Sequence, residues 1–253
     1  MKVVIISQAR MTSTRMPGKV MREVLGRPLL DFQIERLKRV RSAHLIVTAT
    51  TVNPQDDPIV TLSERLGVEV FRGPEHDVLE RYYLAARQFG ADVVVRVTSD
   101  CPLNDPEVIE RVTKRYLDRK TEVDFVNTAL CPSYPNGIGA AAFSFKCLEE
   151  AFHEAEDPAE REHVTPFIFW RPERYRLDCV RNEVDCSNHR WTVDTPEDFE
   201  LIRRIIETLY PAHPQFSWRD VLDLLRAHPD WVELNAAIPQ KQLVRNQIAG
   251  IDK

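Results

Sequence analysis

Three cations, with Ser13 and Thr14 between the two arginines, fall within ten residues near the start of the chain: Arg10, Arg15 and Lys19. They follow an apolar run, Val3 to Ile6, that reads as a buried strand, and Pro17-Gly18 turns the chain just before Lys19. Such a loop suits a polyphosphate. Arginine offers a planar fork to phosphate oxygens, lysine a compact charge, and loop backbone N–H groups add further donors. Open α/β sheets also bind ligands beyond the carboxyl ends of their strands. The spacing is neither G-x-x-x-x-G-K-[ST] nor G-x-G-x-x-G, so the usual ATPase and dinucleotide readings fail. The competing reading is a solvated basic turn, but this many anion-binding side chains directly after a buried strand exceed what solubility needs.

Two aspartates complete the picture. Asp100 ends the run Val93–Thr98-Ser99-Asp100, and Asp194 ends Trp191-Thr192-Val193-Asp194. Each stands at the carboxyl end of an extended stretch, where a carboxylate can hold a hard cation. Magnesium needs only one or two carboxylates when substrate phosphates supply its other oxygens. The competing roles are a turn aspartate for Asp100 and a helix cap for Asp194.

The segment Gln8-Ala9-Arg10-x-x-Ser13-Thr14-Arg15-Met16-Pro17-Gly18-Lys19 resembles the signature loop of the cytidylyltransferases. These include CMP-KDO synthetase, the acylneuraminate cytidylyltransferases and, most closely, the spore-coat-polysaccharide cytidylyltransferase-like family. Three further segments match that last group: Arg72-Gly73-x-x-x-Asp77-Val78-Leu79-x-Arg81-Tyr82, Arg96-x-Thr98-x-Asp100-Cys101-Pro102-Leu103-x-Asp105-Pro106, and Val193-Asp194-Thr195-Pro196-Glu197-Asp198. The resemblance runs from residue 1 to about residue 235. It implies catalytic roles for Arg10, Arg15, Lys19 and Asp100, and Mg²⁺ binding by Asp100 and Asp194. It also implies substrate contacts from Gln8, Ala9, Ser13, Thr14, Arg72, Arg81, Thr98 and His163.

Gln8 stands where the family reads the nucleotide base. Arg72 and Arg81 flank the Asp77-Val78-Leu79 turn, and each has two readings, a phosphate contact or a carboxylate pair. Asp77 itself serves equally well as a helix cap. Arg96 lies inside a buried strand and needs a partner, either an ion pair or a ligand. His163, in Glu160-Arg161-Glu162-His163-Val164-Thr165, lies in a family segment near the acceptor; the plainer reading is a helix-surface histidine. One stretch departs from the family. Close relatives read more like Pro-Asp-Gly-Leu-Asp-Val-Glu-Val where this chain has Pro135-Asn136-Gly137-Ile138-Gly139-Ala140-Ala141-Ala142. Asn136, Gly139 and Ala141 therefore replace carboxylates, and an acceptor that is bulkier or already anionic is expected.

The implied activity is Mg²⁺-dependent transfer of CMP from CTP to a sugar, sugar acid or related acceptor, with release of pyrophosphate, for a surface polysaccharide. The rivals are a glycosyltransferase of related fold and a non-catalytic nucleotide-binding protein.

These residues need a scaffold. At 253 residues with 43% hydrophobic content, the chain can bury a sizeable core. Its net charge of −5 and pI near 5.9 argue against a non-specific nucleic-acid binder. No apolar run approaches a membrane span and no signal peptide is evident, so a cytoplasmic protein is expected. The five cysteines form no CxxC pair and are expected as reduced thiols, and Cys179, Cys186 and His189 fit no common zinc spacing.

Valine-rich runs at Val3–Ser7, Leu45–Thr50, Val68–Phe71, Val93–Thr98 and Asp124–Thr128 predict strands. Helical spacing marks Leu29–Val40, Pro58–Leu66, Asp77–Phe89 and Asp105–Leu117, with Asp57-Pro58 and Asp105-Pro106 as caps. This alternation predicts an α/β fold, a Rossmann-like doubly wound, mostly parallel sheet. The resemblance makes it the nucleotide-diphospho-sugar transferase type. Residues 1–235 are expected to form one domain with an insertion at about 129–192. That insertion holds helices at Phe145–Ala155 and Glu160–Trp170, covers the cleft, and supplies a homodimer contact through its aromatics. The chain re-enters the main layer at Trp191–Asp194. Helices Pro196–Leu209 (capped by Thr195 and Asp198) and Trp218–Ala227 follow, then a loose tail, 236–253.

Overall fold

A computed structural model describes residues 1–239. The opening apolar run forms β1 (Val3–Gln8), and the basic loop after it ends in a short hairpin of β2 (Glu23–Val24) and β3 (Arg27–Pro28). Alternation then proceeds through α1 (Leu29–Leu37), β4 (Leu45–Thr51), α2 (Asp57–Arg65), β5 (Glu69–Gly73), α3 (Val78–Gln88), β6 (Val93–Thr98) and α4 (Pro106–Asp118). The second half contains β7 (Phe125–Asn127), β8 (Ala141–Ser144), α5 (Phe145–Glu154), α6 (Pro158–His163), α7 (Pro166–Phe169) and β9 (Leu177–Cys179). It closes with α8 (Pro196–Leu209), α9 (Trp218–Ala227) and α10 (Pro229–Val232).

Seven strands form the main sheet in the order β5-β4-β1-β6-β8-β7-β9. All neighbours run parallel except β8, which is antiparallel to both β6 and β7. Because β4 and β6 flank β1 on opposite sides, the chain diverges at the carboxyl end of β1. This is the crevice where doubly wound sheets bind ligands. Strand alternation sorts the core into two layers. Val3, Ile5, Val93 and Val95 pack with residues of α4, α8 and α9, whereas Val4, Ile6, Val47 and Val94 pack with residues of α3, α5 and α7.

Caps set the helix starts at the rim. Asp77 accepts from Glu80 N–H, Asp105 from the N–H groups of Glu107 and Val108, and Thr195 with Asp198 forms a reciprocal capping box.

Several expectations need correction. Asp57 is the first residue of α2 and no cap, because a 3₁₀ turn at Pro54–Asp56 leads straight into the helix. The expected helix Glu160–Trp170 is two helices: Val164 adopts a left-handed φ of 71°, and Pro166 starts a fresh turn because it lacks the N–H to continue the first. Trp191–Asp194 forms no regular strand; its neighbour Arg190 makes only an isolated bridge to Asn136. The cysteines are not all reduced thiols, since Cys131 and Cys179 are disulfide-bonded, while Cys101, Cys147 and Cys186 are free and buried. The aromatics of the 129–192 region are largely internal: Phe143 and Phe167 are fully buried and Phe152 stacks on Tyr83. That region also supplies β8 and β9 to the main sheet. Of the expected tail, residues 240–253 lie outside the described residues. No helix among the described residues is long and apolar enough to cross a membrane.

Candidate active site

The loop after β1 folds back on itself. Gly18 takes a left-handed backbone (φ 69°), which glycine adopts without strain, and its N–H donates to Met11 O at 2.8 Å. This turn sends Lys19 inward between two carboxylates. Its Nζ lies 2.8 Å from Asp100 Oδ2 and 2.8 Å from Asp194 Oδ1, and Arg15 Nη2 reaches Asp194 Oδ1 at 2.8 Å. Burial opposes the Lys19 charge, but the two aspartates outweigh it and hold the ammonium above its usual pKa. Burial likewise opposes the Asp100 charge, and Lys19, with hydrogen bonds from Thr98 and Cys101, holds its carboxyl below the usual range.

The two aspartates come from distant parts of the chain and are tied together by backbone. Val193 N–H donates to Asp100 O at 2.7 Å, and Thr192 Oγ1 lies 3.3 Å from the same carbonyl. The β6 turn is braced from below: Gln33 Nε2 donates to Thr98 O (2.7 Å) and Asn104 Oδ1 (2.7 Å), and Ser7 Oγ lies 2.7 Å from Ser99 Oγ. Behind Asp194 stands a buried relay. Arg190 Nη2 donates to Asp194 Oδ2 at 2.9 Å, and its Nε to Asp198 Oδ1 at 2.9 Å. Asn235 Nδ2 then donates to Asp198 Oδ1 (2.8 Å) and to Arg190 O (2.9 Å). Arg190, Asp198 and Asn235 are 7%, 0% and 5% exposed, so this is interior structure and not surface decoration.

The remaining site residues divide. Gln8 ends β1 beside Arg96, whose Nη2 donates to Gln8 Oε1 at 3.3 Å. Ala9 is buried and donates its N–H to Ala49 O, while Ser13 is half-buried and Thr14 exposed on the loop. Arg10 lies 3.9 Å from Glu75, which accepts from Thr12 and, at 2.5 Å, from Asn53. Arg72 takes the carboxylate alternative, pairing with Asp57 at 2.7 Å and donating to Thr51 O and Asn53 O. Arg81 is fully buried and donates to Pro74 O at 3.0 Å; burial lowers its pKa. His163 ends α6 with its imidazole 4.0 Å from Glu162. Asp77 both caps α3 and pairs with Arg161.

A cleft of about 660 Å³ opens beside the Asp100 turn. Thr98, Cys101, Asn127, Pro132, Tyr134 and Asn136 line it, and Arg96 is the one charged residue among its described lining residues. Gly137 (φ 107°) is required here: a Cβ would sit 2.7 Å from Trp191 C, where Asn136 O accepts from Trp191 N–H. A Cβ on Gly139 would meet Thr128 Oγ1 at 2.0 Å.

For a divalent cation the donor set fits. Two carboxylate oxygens converge on one point now filled by an ammonium, and among the described residues no group of three or more His, Cys, Asp or Glu is assembled. Phosphate and water would supply the other oxygens.

A basic loop and a carboxylate pair at the switch point of a Rossmann-like sheet mark a nucleotidyltransferase. The sequence matches the family model described as cytidylyltransferase over residues 3–220, and the chain belongs to that family. It is 34% identical over 243 residues to an uncharacterized protein of Methanocaldococcus jannaschii, covering 95% of this chain and 97% of that one. It is 29% identical over 235 residues to the spore coat polysaccharide biosynthesis protein SpsF of Bacillus subtilis, covering 90% and 95%. A cytidylyltransferase structure from Leptospira borgpetersenii superposes with a TM-score of 0.88 at 31% identity, covering 97% of this chain and all of that one.

Proposed function

We propose that the protein transfers CMP from CTP to a small acceptor in the cleft beside Asp100, releasing pyrophosphate. The observation that carries this is the convergence of Lys19 and Arg15 on Asp100 and Asp194, cations and carboxylates interleaved at the sheet's switch point. In this reading Gln8 meets the base, and Arg10, Ser13, Arg15 and Lys19 take the phosphates. Asp100 and Asp194 hold Mg²⁺, which when bound neutralises phosphate charge and orients the reacting oxygens. An acceptor oxygen attacks the α-phosphorus in line, and the bond to the pyrophosphate oxygen breaks. Arg15 and Lys19 balance the charge that passes to the leaving group. Catalysis then rests on positioning and charge, with no covalent enzyme intermediate.

The product class, an activated sugar or sugar acid for a surface polysaccharide, is supported by the likeness to the spore coat protein. A homodimer formed in the cytoplasm is part of the proposal and rests on family likeness; light scattering at micromolar concentration reads the oligomer. The reaction itself is tested by pyrophosphate release with each nucleoside triphosphate in turn, against a panel of sugar acids, sugar phosphates and phosphonates. Release with CTP and one acceptor is the expected result, and release with ATP, GTP or UTP at equal rate overturns the cytidine assignment.

A further inference from the structure

Arg96 is weakly partnered for a guanidinium, with Gln8 Oε1 at 3.3 Å and the Tyr82 ring centroid at 5.9 Å. It lies on β6, directly opposite Ala141 of the antiparallel β8. Residues opposed in this way project to the same face with their Cβ atoms roughly 5 Å apart, so a carboxylate at 141 would lie within reach of the guanidinium. That position is a buried alanine, which offers the guanidinium no counterion. Among the described residues Arg96 forms no ion pair. Its Nε is buried with no hydrogen-bond partner, and its Nη2 makes one long contact to Gln8. A buried polar donor left unmet is costly, and a guanidinium more so. The rest of the lining adds hydroxyls and amides from Thr98, Asn127, Thr128 and Thr165, and no aspartate, glutamate or lysine.

We propose that Arg96 is the specificity residue of the acceptor cleft, binding an anionic group of the acceptor in the room left by the alanine at 141. The substrate thus supplies the counterion that β8 lacks at that position. The ligand class is a small acid, with a carboxylate, phosphate or phosphonate taking two guanidinium N–H groups side by side. This rests on the cytidylyltransferase reading above, and it adds which end of the acceptor is held and by what.

The test is calorimetric titration of the whole protein loaded with Mg²⁺ and α,β-methylene CTP, which cannot release pyrophosphate. The probes are matched pairs: gluconate against sorbitol, glucose 6-phosphate against glucose, and 3-deoxy-manno-octulosonate against its neutral methyl ester. The wild type is expected to bind at least one acid about 10- to 100-fold more tightly than its neutral mate. Which pair shows the difference distinguishes carboxylate from phosphate. Arg96→Met removes the cation, and Ala141→Glu supplies an internal counterion. Both are expected to erase the preference, while nucleotide affinity, which Arg96 touches only through Gln8, falls far less than acid affinity. Arg96→Lys is expected to retain part of it. If Ala141→Glu fails to fold, Arg96→Met alone carries the test. The assignment is overturned if the acid preference survives in Arg96→Met, if the wild type prefers no acid, or if nucleotide affinity falls as far as acceptor affinity. Failure of the CTP analogue to bind the wild type overturns the underlying function instead, and is read in the first titration.

Discussion

Asp100 and Asp194 carry the sharpest single-residue expectations. Asp100→Asn and Asp194→Asn should each cost about 3 kcal/mol or more of transition-state stabilisation if they hold the metal. Pyrophosphate release measured across Mg²⁺ concentration checks this; near-normal turnover at low Mg²⁺ would reduce that residue to a turn or a cap. Cys101, beside Asp100, behaves differently from an ordinary thiol. Burial, reinforced by the Asp100 charge, pushes it up to about 12. A thiol alkylates as its thiolate, so raising the pKa keeps Cys101 protonated and inert at pH 8. Iodoacetamide should leave it unmodified in the folded protein and label it in urea, as read by peptide mass spectrometry. Labelling of the native protein at a normal thiol rate would contradict the burial described here.

The relay behind Asp194 joins separate elements: Arg190 from the extended segment, Asp198 from the first turn of α8, and Asn235 from beyond α10. Asn235→Ala should cost about 1–3 kcal/mol, since it strips a donor from a buried carboxylate. It should also weaken Mn²⁺ binding several-fold, measured by electron paramagnetic resonance in the presence of CTP. Burial alone would raise Asp198, but Arg190, Asn235 and the Asp194 N–H outweigh it and hold its carboxyl below the usual range. Its stabilisation is therefore complete above the unfolded value near ~4 and is lost as pH falls through the folded one. Asp198→Asn should flatten the acid limb of a stability–pH curve below about pH 4; an unchanged limb would mean that Asp198 carries no linkage.

These elements also show what could be read in advance. The valine runs, Asp105-Pro106 and Thr195-Pro196 announce strands and caps because their signals are local, and the Arg10–Lys19 loop is local too. Arg190 and Asn235 look like any arginine and asparagine, because their meaning comes from a shared partner, Asp198, 8 and 37 residues away. Gln33 was equally silent, since it braces a turn 65 residues further on. Arg72 carries two readings in the sequence, a phosphate contact or a carboxylate pair, and the structure shows it held by Asp57 and the carbonyls of Thr51 and Asn53.

Across the molecule, the site is assembled from two halves clasped at Asp100 O, which accepts from both Val193 N–H and Thr192 Oγ1. The Cys131–Cys179 disulfide pins one wall of the cleft beside Asp100 to the edge strand β9, closing a loop with a sequence separation of 48. Loop-closure entropy predicts roughly 2–4 kcal/mol from such a bridge, or a fall in Tm of roughly 5–15 °C on reduction. Calorimetry with and without dithiothreitol should show it. Cys131→Ser should melt at the reduced temperature and gain nothing from oxidant. No difference would mean that the wall holds without the bond.

The ammonium of Lys19 between Asp100 and Asp194 has a consequence for the order in which ligands arrive. The free protein already satisfies its two carboxylates with a tethered cation, at an effective concentration that a dissolved ion must outcompete. Lys19 has nowhere better to go until a triphosphate offers it oxygens. On the proposed function the nucleotide would therefore open the carboxylate pair, and the divalent ion would enter with it or after it, an ordered rather than random sequence of addition. Lys19→Met should reverse that dependence: Mn²⁺ would bind the nucleotide-free variant more tightly than the nucleotide-free wild type, even as CTP affinity falls. Equal Mn²⁺ affinity in the two would show that the ammonium never guarded the door.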